Sequence, residues 1–240
     1  MSSYVSTASE GDVVRRSASR VLPTLDQERA LWTGGYGWVA GVDEAGRGAW
    51  AGPVVAAAVV LPPDRDIAGR LAGVADSKQL TARQRERLVA IVLAEAADSG
   101  VGIVPATEID AHGIAEANRQ AMVLAIEALN TPPDYLLIDY VRLPSLSTPQ
   151  HSLPKGDSRV LSIAAASIVA KVTRDRLMAA LASEHPGYGF ERHKGYGTAD
   201  HRASLMRLGP CPIHRASFEP VKTLKVTLLD PMRLAVGGPG

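Results

Sequence analysis

Four acidic residues stand where predicted strands end or where a predicted helix begins. Asp43 and Glu44 follow a short apolar stretch, Asp139 ends the segment DYLLID, and Asp157 precedes a long alanine-rich segment. A carboxylate is costly to bury unless it is paired or binds a cation. Carboxylate oxygens are hard ligands that select Mg²⁺ or Mn²⁺ over softer metals. Convergence of the four acids at one sheet edge predicts phosphate chemistry with two ions about 4 Å apart, which activate water and stabilise the leaving oxygen.

Each of these acids has a simpler interpretation. Asp is common at helix caps and in turns, where its carboxylate accepts a backbone hydrogen bond. Composition and position therefore leave two alternatives open, a metal site and a set of unrelated caps.

The elements that must position the acids alternate between strands and helices. Residues 38–43 and 53–61 are predicted to form a hairpin around a glycine-rich turn, 101–104 a short strand, and 134–139 a strand buried on both faces. The predicted helices are one beginning at Thr81 with a capping box to Gln84, one over roughly 108–129, the alanine-rich helix after Asp157, and one from Thr198 to about Leu208. The stretch between Asp139 and Asp157, rich in Pro and Ser, is predicted to be irregular. This alternation predicts an α/β domain with a mixed sheet.

Length and composition favour one globular domain. The chain has 240 residues, of which 46% are hydrophobic, enough for a sizeable core. We expect a flexible N-terminal extension over residues 1–24, one domain over 25–221 and a C-terminal tail over 222–240.

Features of other protein classes are missing from the sequence. The longest apolar run, Val54 to Leu61, is shorter than the roughly 20 residues of a membrane span. The first 24 residues have no continuous apolar core of a secretory signal. The single cysteine, Cys211, excludes an intrachain disulfide framework and a cysteine-based zinc site. We expect a cytoplasmic protein without membrane association.

Positive charge is concentrated near the C-terminal end. The whole chain has a net charge of only +1, which gives no sign of a nucleic-acid partner. Between Phe190 and Lys225, however, the sequence has seven basic residues and only three acidic ones. The basic residues are Arg192, Lys194, Arg202, Arg207, Arg215, Lys222 and Lys225, and the acidic ones are Glu191, Asp200 and Glu219. This basic segment is interpreted either as a phosphate-binding surface or as a solvated charged face.

Five ordered blocks cover most of residues 38–221. They are GVDEAGRGAWAGPVVAAAVVL (41–61), DSKQL (76–80), LLID (136–139), KGDSRVLSIAAASIVAKVTRD (155–175), and HKGYGTADH with GPCPIHRASFEPV (193–221). Together they resemble the type 2 ribonucleases H, in particular bacterial ribonuclease HII. The resemblance implies a ribonuclease H-like fold, a mixed central sheet of about five strands flanked by helices, with a small helical C-terminal region.

The same resemblance implies an activity and a ligand set. The family cuts RNA in RNA/DNA hybrids and single ribonucleotides embedded in duplex DNA, on the 5′ side, leaving a 3′-hydroxyl and a 5′-phosphate. Its four metal-binding acids correspond to Asp43, Glu44, Asp139 and Asp157. The implied cofactor is Mg²⁺ or Mn²⁺, and the implied partners are hybrid and ribonucleotide-containing duplexes. No obligate protein partner is evident, and we expect a monomer.

Substrate recognition is implied for a second set of residues, which comprises Gly46, Arg47, Gly48, Ser77, Lys78, Lys194 and Tyr196. By resemblance, the Gly-Arg-Gly stretch reads the ribose 2′-hydroxyl, Tyr196 packs on the neighbouring sugar, and Ser77 with Lys78 contacts phosphate. The residues alone also allow plain turns at the glycines and at Asp76-Ser77, and a half-buried core tyrosine. The glycines around Tyr196 favour its exposure.

Two positions depart from the family pattern. Many relatives have asparagine at the position of Gly113, so this chain lacks the side chain that the resemblance implies for one phosphate contact, and the nearby Asn118 is the alternative. Ala49-Trp50 stands where relatives often have Pro-Leu. The alternatives to a ribonuclease are a DNA-specific nuclease of the same fold and a non-catalytic hybrid-binding protein. The Gly-Arg-Gly stretch with Tyr196 argues against the first, and the four acids argue against the second.

Overall fold

The computed structural model describes residues 22–224. Its strands are β1 (Val39–Ala45), β2 (Val54–Val60), β3 (Asp98–Val104), β4 (Tyr135–Asp139) and β5 (Gln150–Leu153). Its helices are α1 (Asp26–Thr33), α2 (Ile67–Arg70), α3 (Ala82–Glu95), α4 (Ala106–His112), α5 (Ile114–Glu127), α6 (Leu161–Glu184), α7 (Phe190–His193) and α8 (Ala199–Leu208). Most of the predicted N-terminal extension and C-terminal tail, residues 1–21 and 225–240, lies outside the described residues.

The five strands form one mixed sheet in the order β3-β2-β1-β4-β5. Strands β1 and β2 form the predicted antiparallel hairpin, and β3 extends it on the far side of β2. Strand β4 runs parallel to β1, and β5 runs parallel to β4. All seven residues of β2 are buried, as an unbroken apolar run predicts for a strand covered on both faces. The predicted mixed α/β fold is confirmed.

Helices α5 and α6 cover opposite faces of the sheet, and small residues let them approach closely. A side chain at Gly102 of β3 would place its Cβ 2.0 Å from the Ala121 carbonyl oxygen of α5. A Cβ at Gly41 of β1 would lie 2.2 Å from the Ser162 backbone of α6. Along β1, Ala45 packs with α6 whereas Ala40 and Val42 pack with α5, so alternate residues face opposite helices, as the pleat requires.

The predicted helix over 108–129 is wrong in one respect, because it is interrupted. Gly113 has φ of 79° and separates α4 from α5. This left-handed conformation is accessible to glycine at little steric cost and is incompatible with a continuous α-helix. The apolar pattern continues across the break, which is why the sequence predicted one helix.

Several other elements differ from the sequence prediction. Asp43 and Glu44 are the fifth and sixth residues of β1 and do not follow it. Strand β5 occupies part of the stretch predicted to be irregular, because backbone pairing with β4 forms it without an apolar pattern. Helices α1, α2 and α7 were not predicted.

The helical caps and the C-terminal helical region are confirmed. The Thr81 hydroxyl accepts from the Gln84 N–H and the Gln84 side chain accepts from the Thr81 N–H, a complete capping box. The Thr198 hydroxyl caps α8 by accepting from the His201 N–H, and Gly209 follows its last residue. Within residues 22–224, the helices are all too short or too polar to cross a bilayer.

Candidate active site

Three carboxylates converge at the end of β1, and we call them the acid triad: Asp43, Asp139 and Asp157. In the parallel pairing of β1 with β4, Val42 lies opposite Ile138, so the next residues are Asp43 and Asp139. Asp157 lies in a short 3-10 turn (Gly156–Ser158) that leads into α6. One oxygen atom from each acid lies within 4.8 Å of the others. The structure thus brings together three of the four acids singled out in the sequence.

The fourth acid, Glu44, lies on the other face of β1. Consecutive strand residues point to opposite faces, so Asp43 faces α6 while Glu44 faces α5. Burial raises the pKa of Glu44, and the nearby charge of Asp139 raises it further, while Arg47 and Asn118 oppose the rise. Glu44 is therefore close to the acid triad electrostatically without belonging to the set within 4.8 Å.

The acid triad carries more negative charge than its surroundings balance. Burial, followed by the charges of Glu44 and Asp139, raises the pKa of Asp43 well above its ordinary value. Its Oδ1 accepts the Glu44 N–H at 2.7 Å, whereas its buried Oδ2 has no hydrogen-bond partner among the described residues. An unpaired buried carboxylate oxygen is costly. An all-oxygen donor set with this imbalance fits a hard divalent cation.

The pKa of Asp139 is also raised, but here two effects oppose each other. Burial raises it, and a hydrogen bond from the Gly156 N–H to Oδ1, 2.7 Å long, lowers it. A Cβ at Gly156 would approach the Ile163 side chain to 2.7 Å. The glycine thus lets the turn carrying Asp157 close on the β4 carboxylate.

A lysine from the predicted DSKQL block reaches the acid triad. The Nζ of Lys78 lies 3.0 Å from Oδ2 of Asp157 and 3.8 Å from Oδ1 of Asp76. Burial alone would lower the pKa of Lys78, but the hydrogen bond and charge of Asp157 raise it above its ordinary value. The hydroxyl of Ser77 is buried and pairs with that of Ser167 at 2.8 Å. Of the two residues singled out in this block, Lys78 therefore contacts the acid triad, whereas Ser77 points into the protein interior.

The Gly-Arg-Gly stretch forms the tip of the loop between β1 and β2. Arg47 and Gly48 are exposed, and Gly46 is buried with φ of 93°. The fully buried Arg215 donates through its guanidinium to the carbonyl oxygens of Gly46 and Arg47 at 2.8 and 2.9 Å. Burial lowers the pKa of Arg215 to about 9, and the charge of Arg174 adds to this effect. A buried cation thus fixes the backbone of the stretch predicted to read the sugar.

A second buried arginine, Arg174 of α6, joins this loop to Tyr196. Its guanidinium carbon lies 5.2 Å from the centroid of the Tyr196 ring, and a Cβ at Gly46 would lie 1.9 Å from its Nε. It donates to the carbonyl oxygens of Pro53 and Lys194 at 2.8 and 2.9 Å. Gly46 and Tyr196 therefore share one guanidinium, although about 150 residues separate them in the chain.

Tyr196 and Lys194 lie in the loop between α7 and α8. Tyr196 is half-buried, so its predicted exposure is only partial. The Nζ of Lys171 lies 5.4 Å from its ring centroid. Lys194 is also half-buried, and its Nζ donates to the Glu191 carbonyl oxygen at 2.7 Å. The loop presents part of an aromatic ring flanked by cations.

Sequence reasoning missed three buried charges that support the site. Arg174 and Arg215 are both fully buried, and an arginine within the alanine-rich helix was a signal that could have identified the first. Glu28 of α1 is also fully buried and accepts the Ser162 N–H at 2.8 Å, so it caps the start of α6 just after Asp157. No local pattern indicates this contact, because the two residues are 134 positions apart.

Comparisons with known proteins agree with this geometry. The family model for ribonuclease HII matches residues 40–221. Ribonuclease HII of Chloroflexus aurantiacus is 57% identical over 205 residues, covering 84% of this chain and 95% of the relative. That of Chloroflexus aggregans is 56% identical over 203 residues, covering 84% and 96%.

A solved structure extends the likeness to the fold. The crystal structure of ribonuclease H2 from Pyrococcus horikoshii OT3 matches with a TM-score of 0.67 at 31% sequence identity, covering 80% of this chain and 99% of that one. The matched family segment includes the acid triad, both buried arginines and the Tyr196 loop. The chain belongs to the ribonuclease HII family, and it is a hydrolase of the ribonuclease H type.

Proposed function

We propose that this chain is an endonuclease that cuts the RNA strand of RNA/DNA hybrids and also cuts duplex DNA at a single embedded ribonucleotide. Cleavage on the 5′ side of the ribonucleotide leaves a 3′-hydroxyl and a 5′-phosphate. Family membership supports the ribonuclease H activity. The observation that carries the chemistry is the acid triad, with its buried and unpaired Asp43 oxygen.

Asp43, Asp139 and Asp157, together with Glu44, would hold divalent cations, Mg²⁺ or Mn²⁺. When bound, two such ions supply an activated water and stabilise the leaving oxygen during in-line displacement at phosphorus. The raised pKa of Asp43 supports this assignment, since its burial among other acids is unfavourable without a counter-charge.

Lys78 supplies a positive charge next to the acid triad. Its contact with Oδ2 of Asp157 orients that carboxylate, and the side chain is 74% exposed, so its ammonium is accessible to a substrate phosphate. Ser77 fixes the turn from the inside through Ser167. In this proposal Lys78 contacts phosphate, and Ser77 supports the turn that carries it.

Recognition of the ribose is the task of the Gly-Arg-Gly loop and Tyr196. The exposed Gly48 has no side chain and lets the backbone approach a sugar, whereas the missing side chain of Gly46 makes room for Arg174. The exposed Arg47 has the forked donor geometry that suits a phosphate. The shared contact with Arg174 supports a joint role for Gly46 and Tyr196. Lys194 adds positive charge to the same loop.

The experiment that tests this proposal uses three substrates of equal length. They are a DNA duplex with one ribonucleotide, an all-DNA duplex and an RNA/DNA hybrid, each incubated with Mg²⁺ or with a chelator. We expect Mg²⁺-dependent cleavage of the first and third, with product ends that a DNA polymerase can extend. Cleavage of the all-DNA duplex would instead indicate a DNA nuclease. Binding without turnover would indicate a hybrid-binding protein.

A further inference from the structure

Two buried histidines lie beneath the Tyr196 loop and have no part in the proposed function so far. His201 of α8 and His214 are 0% and 4% exposed. Their Nε2 atoms are 3.1 Å apart. The Nδ1 of His201 lies 3.0 Å from the Tyr196 carbonyl oxygen, and the Nδ1 of His214 lies 2.9 Å from the Cys211 nitrogen. We call this series of contacts, from Cys211 to Tyr196, the histidine chain.

The two ends of the histidine chain fix the positions of its protons. The Cys211 N–H can only donate, so Nδ1 of His214 is an acceptor and its proton is on Nε2. That Nε2–H donates to Nε2 of His201, whose own proton is then on Nδ1. The Tyr196 carbonyl can only accept, and it accepts this Nδ1–H. All contacts are satisfied when both histidines are neutral, and a second proton on either would place two N–H groups face to face.

The surroundings of the pair favour these neutral forms. Burial lowers the pKa of His201 to about 4. Burial, and next the charge of His201, lowers the pKa of His214 to about 4. The histidine chain is therefore neutral across the ordinary working range of a cellular enzyme.

A third histidine, His193, fixes the backbone on the N-terminal side of Tyr196. The ring of His193 stacks on His201, with centroids 4.4 Å apart and planes 12° apart. Its Nδ1 accepts the Gly195 N–H at 3.2 Å, so its Nε2–H donates to the Tyr188 carbonyl oxygen at 2.8 Å. The backbone is thus fixed by one histidine just before Tyr196 and by another at its carbonyl.

We propose that His201 and His214 are positioning residues for ribose recognition, which fix the Tyr196 backbone so that its ring keeps one orientation beside Arg174. The inference rests on the proposed role of Tyr196. It extends that role to residues that do not touch the substrate. The ring is held by the histidine chain through the backbone, and it faces the guanidinium of Arg174 at 5.2 Å.

Two substitutions at His201 separate the contacts it makes. In His201→Asn the amide nitrogen takes the place of Nδ1 and keeps the donor to Tyr196. In His201→Gln the amide reaches towards His214 instead, and the donor to Tyr196 is lost. We expect His201→Gln to lower kcat/KM on a duplex with one ribonucleotide roughly threefold to tenfold, the range for one neutral hydrogen bond. His201→Asn should stay closer to the unsubstituted protein.

A double-mutant cycle with Tyr196→Ala distinguishes positioning from general structural support. If His201 acts through the Tyr196 ring, His201→Gln has no further effect once that ring is removed. Equal losses in both backgrounds would overturn the inference while leaving the proposed function intact. If Tyr196→Ala alone cuts the single-ribonucleotide duplex as fast as the unsubstituted protein, the role of Tyr196 and the inference both fail.

Nitrogen NMR of the unsubstituted protein tests the inference even if the His201 variants do not fold. We expect the proton of His201 on Nδ1 and that of His214 on Nε2 at neutral pH. A proton on Nε2 of His201 would overturn the inference, because that tautomer cannot donate to Tyr196.

Discussion

Buried polar groups lack partners at the acid triad, whereas along the histidine chain they are all paired. At the acid triad, Oδ2 of Asp43 has no partner in the described part of the chain, and neighbouring acids raise the pKa of Asp43. Along the histidine chain, every ring nitrogen has a donor or an acceptor, and neither histidine is charged. The first arrangement is unfavourable until a cation arrives. The second is complete by itself.

This difference separates two tasks within one site. A binding site gains affinity when the free protein leaves its groups unsatisfied, because the ligand then supplies the missing partners. A recognition site needs its geometry fixed beforehand, since a displaced donor loses discrimination. The buried arginines belong to the second kind, because Arg174 and Arg215 donate to backbone carbonyls and fix the loop and Tyr196.

The largest expected effect is the loss of activity in Asp43→Asn. This substitution keeps the side-chain volume and removes a negative ligand from the acid triad. Groups that only orient a metal ligand cost about 10- to 100-fold when lost, so loss of the ligand itself should lower turnover more than about 100-fold. Cleavage of the single-ribonucleotide duplex with Mg²⁺ measures this. The matched control is Asp64→Asn, since Asp64 is exposed and pairs with Arg70. Near-normal turnover of Asp43→Asn would remove Asp43 from the metal site.

The two regions should also respond to pH in opposite directions. The pKa of His201 and His214 is about 4 in the fold and 6.5 in the unfolded chain, so their contribution to stability is complete above pH 6.5 and is lost as pH falls towards 4. One histidine contributes at most about 3 kcal/mol in this way. Asp43 has a raised pKa in the fold, so without metal it favours folding at low pH, and this contribution is lost as pH rises.

Denaturant unfolding from pH 4 to 8, without divalent metal, measures both contributions. Asp43→Asn should lose stability more steeply on acidification than the unsubstituted protein, because the carboxyl that opposes the histidines is gone. His214→Gln should lose it less steeply. Parallel curves for all three proteins would mean that neither region controls the pH dependence.

The acid triad was predictable from sequence, whereas its supports were not. Apolar runs in the sequence indicate strands β1 and β4, and the acid at the end of each run lies at the same edge of the sheet. Arg215 gives no such signal, because its partners are backbone carbonyls and one of them, that of Arg47, is 168 positions away. The helix break at Gly113 was missed because a glycine inside an apolar pattern does not reveal its φ.

A smaller effect is expected at Tyr196, where the hydroxyl and the ring can be removed separately. Tyr196→Phe keeps the ring beside Arg174 and removes one hydrogen-bonding group, which costs about 0.5 to 1.5 kcal/mol. Tyr196→Ala also removes the packing surface and should be slower. Cleavage rates on the single-ribonucleotide duplex, with folding checked by thermal melting, give the order. Equal rates for the two variants would assign the whole effect to the hydroxyl.

The smallest expected effect concerns the basic segment between Phe190 and Lys225. Arg192 pairs with Glu191 at 3.1 Å and Arg215 is buried, so neither offers a free charge at the surface. Lys194 and Arg207 donate to backbone carbonyls of Glu191 and Gly187. Carbonyls do not neutralise them, and within residues 22–224 neither has an ion pair. Together with the exposed Arg202 and Lys222, these two side chains carry the charge with which the described part of the segment would bind phosphates.

Binding of a hybrid at increasing salt tests those two charges. Each phosphate contact contributes about −0.9 to the slope of log K against log salt concentration. The double variant Lys194→Gln and Arg207→Gln should flatten this slope by up to about 1.8. A matched double variant, Arg70→Gln and Arg119→Gln, removes the same charge from residues already paired with acids, and its slope should stay unchanged. Equal flattening in both double variants would mean that the slope depends only on the net charge of the protein. No flattening in either would mean that the segment does not contact phosphates and is a solvated charged face.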